Sequence, residues 1–309
     1  MGVSPFQIRS PSHNRINGAV PHGSRSPKTP EHSRLSPSID IERVETIMRE
    51  AAAAEILPRF QKLEAGDVQE KSGPNDLVTA ADLAAEEVMS RRLADLAPGS
   101  LVVGEEAVAK DPAVLDHLVS DETIWIIDPV DGTWNFTQGR PHFTVIVALV
   151  RDGAVRAGWI HHPIDDATVT AEEGAGSWEA GRRLEVAQPA SLGAMTAALY
   201  VGARRTPELH ERVKALKAGL GPRSYLACAG AEYLGLARGT THYAVFTRLL
   251  PWDHAAGNLI HAEAGGYSRM MDDRPYRPVP MDGNMLLAPN PGSWRQLRDL
   301  LLAGDASGV

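Results

Sequence analysis

Acidic side chains at the ends of short apolar runs are the residues of this chain best placed to do chemistry. The stretch Trp125–Phe136 reads Trp-Ile-Ile-Asp-Pro-Val-Asp-Gly-Thr-Trp-Asn-Phe. The apolar run Ile124–Ile127 fits a buried strand, Asp128 closes it, and Pro129 stops it and stiffens the backbone beyond. Asp131 comes three residues on, with Gly132 and Thr133 directly after it. Two carboxylates converging at the end of a buried strand are costly unless a divalent cation with oxygen ligands takes up their charge. Gly132 permits close backbone approach. Thr133 offers a hydroxyl and a free amide at a helix start, where an anion can rest. A strand ending in an Asp-rich turn, with no chemistry, is the alternative reading of the same twelve residues.

More acids occupy comparable positions. The strand Leu101-Val102-Val103 ends in Gly104-Glu105-Glu106. Two successive strands thus deliver carboxylates at their C-terminal ends, where α/β sheets commonly place their sites. Asp253 comes after Pro251 and Trp252 at a predicted helix start, a position where a lone Asp is an N-cap or first-turn acid. Asp82 stands three residues after Thr79, so the pair predicts a capping box, and Asp82 has a structural role of its own as a first-turn acid. Lys71 lies in a short polar strand or turn near 66–73.

The elements that must position these residues are read from periodicity and punctuation. A helix capped by Asp40 or Ser38 carries Ile41, Val44, Ile47, Met48 and 51–56 at helical spacing. Helix 80–97 ends at Pro98-Gly99, and a further helix falls near 112–120. After Phe136 the pattern turns to strands: 143–150 and 154–161 around the turn Arg151-Asp152-Gly153, then 167–172 and 177–180. The second half alternates strand 197–201, helix 207–218, strand 224–228, helix 231–237 and strand 243–246. A helix from Pro251 through Ala262 ends at Gly265-Gly266, and a strand 285–288 and helix 294–302 complete the pattern.

Size and composition narrow the function. The chain has 309 residues, 43% of them hydrophobic, enough for one large domain or two coupled ones. A net charge of -8 argues against a nucleic-acid-binding body, although an acidic protein binds phosphates where metals supply the positive charge. The single cysteine, Cys228, allows no internal disulfide and fits a cytoplasmic, reducing compartment. No apolar run reaches the roughly 18 residues of a membrane span. Residues 1–39 differ from the rest: six prolines, five basic residues and one acid, Glu31, without apolar periodicity, predict a disordered tail. A targeting peptide is the alternative for this basic segment, but the prolines oppose an amphipathic transit helix.

Taken together, Lys71-Ser72, Leu77-Val78-Thr79 with Asp82, Gly104-Glu105-Glu106, Trp125–Phe136, Trp252-Asp253 with Ala255-Ala256-Gly257, and Glu263-Ala264-Gly265-Gly266 resemble the inositol monophosphatase family. The resemblance covers about residues 40–305, in the family's order. It implies an α/β (α+β) fold, a layered α-β-α-β-α sandwich with a mixed N-terminal sheet in 40–190 and a smaller C-terminal lobe in 191–309 that contributes Asp253. It implies a Mg²⁺-dependent, lithium-sensitive phosphomonoesterase acting on a small phosphorylated metabolite, with two to three ions, and allows a homodimer. Glu105, Asp128 and the carbonyl of Val130 would hold the first ion. Asp128, Asp131 and Asp253 would hold the second, and Glu105 would also face a loosely bound third. Thr133 and Asp82 would orient and deprotonate the attacking water. The amides of Gly132 and Thr133 would hold phosphate oxygens, with Asp131, Asp253 and Lys71 beside the substrate.

Three departures bear on the substrate. Trp134 stands where the family commonly has Thr or Ser. Animal-type members place an acid several positions before the Trp-Asp pair, whereas 243–250 contains Arg248 and no acid. Ala227-Cys228-Ala229-Gly230 replaces the usual Gly-Ser/Thr-Ala-Ala. These changes leave the phosphatase chemistry intact and put inositol itself in question. Histidinol phosphate, a sugar bisphosphate, a dinucleotide phosphate and a 3′-phosphonucleotide stay open, as does a catalytically silent regulatory relative. His161, His162 and His254 are not at metal-ligand spacing with Cys228, and His254 is expected on a helix surface or packed locally.

Overall fold

The computed structural model describes residues 40–303 except 65, 74–75, 200 and 217–218, and not the side chains of 72–76; the expected tail of 1–39 and the Ser38 cap lie outside the described residues. Helix α1 (Ile41–Ala51) starts at Asp40, whose carboxylate accepts from the Arg43 amide at 2.9 Å. A π-helical turn, Ala52–Ile56, extends it. The hairpin β1 (Val68–Gly73) and β2 (Asp76–Thr79) leads directly into α2 (Ala80–Leu96). There Thr79 and Asp82 form the expected capping box.

The principal sheet takes shape next. Strand β3 (Leu101–Gly104) runs into α3 (Glu105–Lys110), and β4 (Ile124–Asp131) into the short α4 (Thr133–Thr137). The sheet continues through β5 (Thr144–Arg151), β6 (Ala154–His162), β7 (Ala167–Glu172), β8 (Gly176–Glu179) and β9 (Arg182–Arg183). These seven strands lie in the order β3-β4-β5-β6-β7-β8-β9, with β3 and β4 parallel and the other pairs antiparallel.

The remaining chain builds a five-stranded mixed sheet and its helices. These are β10 (Ala197–Leu199), α5 (Pro207–Ala215), β11 (Arg223–Ser224), α6 (Ala229–Ala237), β12 (Tyr243–Phe246), α7 (Pro251–Glu263), β13 (Tyr267–Met270), β14 (Met285–Ala288) and α8 (Pro291–Leu302). The strand order is β11-β10-β12-β14-β13.

Three apolar cores stack these parts into five layers, as the fold class expected. Trp125, Ile127, Val145, Val147 and Trp159 face α1 and α2. Their strand neighbours Ile124, Ile126, Ile146 and Ile160 face Tyr233 and Leu234 of α6 and Trp252, Ala255 and Ile260 of α7. Across those helices lie Ala198, Ala244 and Leu287 of the second sheet, whose opposite face, Tyr243, Val245 and Leu286, packs on Leu209 of α5 and Leu297 of α8. A sheet covered on both faces explains why β4 reads as an unbroken apolar run rather than an alternation. Helix α7 lies directly on β6: a Cβ at Gly158 would stand 2.8 Å from the Ala256 Cα.

Local differences from the sequence reading have physical causes. The helix near 112–120 is a 3₁₀ helix, Pro112–Val119, started by Pro112 after the Asp111 cap. Of the expected strand 224–228, only Arg223–Ser224 pairs; Ala227 turns to φ 54° and Cys228 becomes the N-cap of α6. The expected strand 197–201 pairs over Ala197–Leu199, and helix α5 ends at Ala215, with 217–218 outside the described residues. Tyr267–Met270 forms a strand that its polar Ser268 and Arg269 concealed. No helix among the described residues is long and apolar enough to cross a membrane.

Candidate active site

The end of β4 sets the geometry. In a regular strand, residues three apart point to opposite faces. Here Asp128 pairs with Ile146 and Asp131 with Thr144, so β4 carries one residue more than its partner over this interval. That bulge, at Pro129-Val130, returns Asp131 to the face of Asp128. Gly132 then takes φ 88°, and a Cβ there would lie 2.8 Å from the His142 carbonyl, so the turn into α4 requires glycine.

Asp253 approaches from the first turn of α7, and one carboxylate oxygen from each of Asp128, Asp131 and Asp253 lies within 4.8 Å of the others. Burial and the mutual repulsion of the cluster, with Glu105, hold Asp128 well above the usual carboxylate range. Asp253 is raised for the same reasons, opposed by the Arg248 guanidinium. Asp131 is raised by burial and opposed by its hydrogen bonds. Its Oδ2 accepts from the Gly230 amide at 2.6 Å, the Cys228 thiol at 3.0 Å and the Thr144 hydroxyl at 3.1 Å, while Oδ1 accepts from the Ala229 amide at 3.1 Å. Oδ2 is therefore saturated, and Oδ1 keeps lone-pair capacity for a ligand.

Asp82 serves two elements at once. Its Oδ2 accepts from the Thr79 amide at 2.8 Å and the Thr79 hydroxyl at 2.5 Å. Its Oδ1 faces the Thr133 hydroxyl at 3.3 Å. That hydroxyl also lies 3.0 Å from the Val130 carbonyl, and having one proton it donates to one acceptor at a time. Burial raises Asp82 to about 7 against the lowering effect of the Thr79 bonds.

Glu105 and Glu106 open α3, and Glu86 caps that helix by accepting from the Glu106 and Ala107 amides, both at 2.8 Å. Lys71 reaches across from β1, with Nζ 2.8 Å from Glu105 Oε1 and 2.6 Å from Glu106 Oε1.

A cavity of about 580 Å³ collects most of these groups. Glu105, Asp128, Val130, Asp131, Gly132, Thr133 and Asp253 line it, with Trp134 and Arg248. Asp82 and Lys71 stand behind this wall, joined to it through Thr133 and Glu105. The Arg140 guanidinium lies over the Trp134 ring at 4.6 Å from its centroid. His254, expected on a surface or packed locally, is packed: it is buried, with Nε2 2.8 Å from the Arg248 carbonyl and Nδ1 3.1 Å from the Tyr233 hydroxyl. Because a carbonyl only accepts, the proton sits on Nε2 and Nδ1 receives the Tyr233 hydrogen. Burial lowers His254 to about 4, so it is neutral at pH 7.

Sequence reasoning misses Glu86, Thr144 and Glu232, which lie away from the acidic motifs. Glu232 accepts from the Leu226 amide at 2.6 Å and fixes the cavity wall before α6. The one available signal for Glu86 is Gly104, where a Cβ would collide with the Glu86 carboxylate.

Five layers with acids converging between sheet and helices define a sugar-phosphatase type of architecture, and known relatives share it. The profile of the inositol monophosphatase family matches residues 40–304, so the chain belongs to that family of metal-dependent phosphatases. It is 32% identical over 204 residues, 65% of this chain and 73% of the relative, to the fructose-1,6-bisphosphatase/inositol-1-monophosphatase of Thermotoga maritima. It is 30% identical over 230 residues, 72% of this chain and 83% of the relative, to the inositol-1-monophosphatase of Bacillus subtilis. The solved structure of a Thermotoga maritima IMPase superposes with a TM-score of 0.71 at 25% identity, covering 83% of this chain and 94% of that one.

Proposed function

We propose that this chain hydrolyses the monoester of a small phosphorylated metabolite with Mg²⁺ held by Glu105, Asp128, the Val130 carbonyl, Asp131 and Asp253. The convergence of three buried or half-buried carboxylates within 4.8 Å, beside the Thr133 hydroxyl, carries this reading. Such a cluster fits a divalent cation because the cation's charge offsets the burial that raises all three acids and the repulsion that further raises Asp128 and Asp253. Its all-oxygen donors suit Mg²⁺ better than Zn²⁺. Two to three ions bound there would supply activation of water and stabilisation of charge on the entering and leaving oxygens.

The chain's own groups do the rest. Thr133 orients the attacking water through its hydroxyl, and Asp82 behind it accepts the proton. A carboxylate held near pH 7 by burial suits a general base at neutral pH. The amides of Gly132 and Thr133 orient phosphate oxygens, and Lys71 adds positive charge. Asp131 and Asp253 flank the substrate. A catalytically silent regulatory protein is the second reading, but such a relative is expected to have lost a ligand, and Glu105, Asp128, Asp131, Thr133 and Asp253 are all present. A cytoplasmic location is proposed on the reduced, buried Cys228.

For the substrate, we favour a metabolite with a second anionic group. Arg248 is exposed on the cavity wall, and its charge reaches Asp253. A guanidinium offers donors and no acceptor, which suits a second phosphate better than a polyol hydroxyl. The test is phosphate release from a panel of monoesters with Mg²⁺ and with a chelator. Bisphosphates or phosphonucleotides should exceed inositol 1-phosphate in kcat/KM. Arg248→Ala should erase that preference at a cost of about 1.5–3 kcal/mol, roughly 10- to 150-fold. Inositol 1-phosphate as the best substrate, unaffected by the mutation, would refute the substrate reading and leave the metal chemistry standing.

A further inference from the structure

We propose that Lys71 is an internal cation that competes with the divalent metal for Glu105, and that Glu106 is the positioning residue that takes up Lys71 when the metal prevails. This rests on the reading of Glu105 as a metal ligand. One ammonium bridges two consecutive carboxylates: Nζ is 2.8 Å from Glu105 Oε1 and 2.6 Å from Glu106 Oε1. All three side chains are largely buried, at 12%, 17% and 5% exposure, so solvent screens the contacts weakly.

The two acids are not equivalent. Glu105 lines the cavity with Asp128 and Asp253, whereas Glu106 is buried and is not part of its lining. The first turn of α3 carries both, and Glu86 fixes that turn through the Glu106 and Ala107 amides. Lys71 comes from a separate element, the bulged part of β1, where the ladder with β2 slips between Glu70 and Gly73. An irregular strand lets its side chain shift without breaking a regular ladder.

A cation that takes Glu105 Oε1 must displace the ammonium or share the oxygen with it. With Glu106 at 2.6 Å, displacement does not strand Lys71 unpaired, a state that would be costly at such burial. Glu106 thus lowers the cost of releasing Glu105. The apparent affinity of the metal is reduced by the fraction of molecules in which Lys71 holds Glu105.

The two partners then have opposite effects. Lys71→Met removes the competitor and should tighten Mg²⁺ binding, by about three- to tenfold for the weakest ion. Glu106→Gln removes the resting place, leaves Lys71 on Glu105, and should weaken binding by a similar factor. In the double variant the Glu106→Gln effect should vanish, because no ammonium remains to be held. The measurement is isothermal titration of chelator-stripped protein with Mg²⁺ alone, with thermal melting to confirm that each variant is folded. Lys71→Gln serves in place of Lys71→Met where the latter melts early.

Equal weakening by both single variants would overturn the proposal, as it would mark a purely structural cluster. A Glu106→Gln effect that persists unchanged without Lys71 would also overturn it, since that reports through-space charge alone. Glu105→Gln separates this from the underlying reading. If it leaves the Mg²⁺ isotherm unchanged, or the wild type binds no Mg²⁺, both readings fall.

Discussion

Replacing Asp128 by Asn should make the metal-free protein more stable while destroying its activity. Asp128 is buried among like charges, shares a hydrogen bond with Asp253, and accepts from the Val130 amide at 3.1 Å. An asparagine keeps an acceptor for Val130 and gains an amide donor for Asp253. Two charged carboxylates within 4.8 Å of each other repel by at least about 3.5 kcal/mol at an effective dielectric of about 20. Proton sharing already relieves part of this, so the net gain should be about 1–3 kcal/mol. For a domain of this size that is about 2–10 °C in melting temperature. The pH dependence has a definite sign. The folded carboxyl of Asp128 is raised above its unfolded value, so the wild type loses stability as pH rises through the folded value. The advantage of Asp128→Asn should therefore grow as pH rises above the ordinary carboxylate range and vanish toward pH 4. With Mg²⁺ at 100 times its dissociation constant the wild type should gain about 2.7 kcal/mol, and the variant much less. Thermal melts of both proteins in chelator and in Mg²⁺, at two pH values, test this beside a phosphatase assay. An Asp128→Asn protein that melts below wild type in chelator, or responds to Mg²⁺ equally, refutes the reasoning.

The same geometry sets other outcomes. Thr133→Ala and Asp82→Asn should each lower kcat more than they raise KM, and the double variant should lose little beyond the worse single one, because the two groups act on one proton; multiplicative losses in steady-state kinetics would show independent roles. Lithium should inhibit uncompetitively at about millimolar concentration, as family membership and the intact Asp128, Asp131 and Asp253 imply; activity unchanged at far higher lithium would contradict this. His261 is fully buried with neither ring nitrogen bonded, and burial lowers it to about 3. Its unfolded form takes a proton below about 6.5, so His261 costs stability as pH falls through that window. His261→Leu should raise the urea midpoint at pH 7 by removing an unsatisfied polar group, worth about 1 kcal/mol, and by more at pH 5. An equal shift at both pH values would count against the assignment.

Much of the candidate site is legible in the sequence because its acids sit where punctuation marks the chain. Asp128 ends an apolar run, Asp253 comes just after Pro251, and Asp82 belongs to a capping box, so each announces an element boundary. The strands Tyr243–Phe246 and Met285–Ala288 are likewise bounded by clear breaks. The hidden parts depend on tertiary contact. Cys228 looks like the end of a strand, yet the left-handed turn at Ala227 and the bond from the Leu226 amide to Glu232 redirect the backbone into a helix. Thr144 looks like an ordinary strand residue until the Asp131 carboxylate is placed on it. Lys71 reads as a neighbour of the substrate, and only the fold reveals that its ammonium is already held by two glutamates.

The extra residue in β4 constrains how this site can change over time. The side chains that donate to Asp131 have some room to drift, because two of the four donors steadying its carboxylate are backbone amides. The bulged pairing between Asp128 and Asp131 has none. If β4 kept all its residues but paired without the bulge, Asp131 would turn through half a rotation, toward the face where Val130, Phe136 and Phe143 pack with α1 and α2. The carboxylate would then enter an apolar core while the cluster lost a member, so loss of the bulge at unchanged chain length would damage folding and chemistry together. The irregular pairing between these two acids is thus as much a part of the site as the acids themselves.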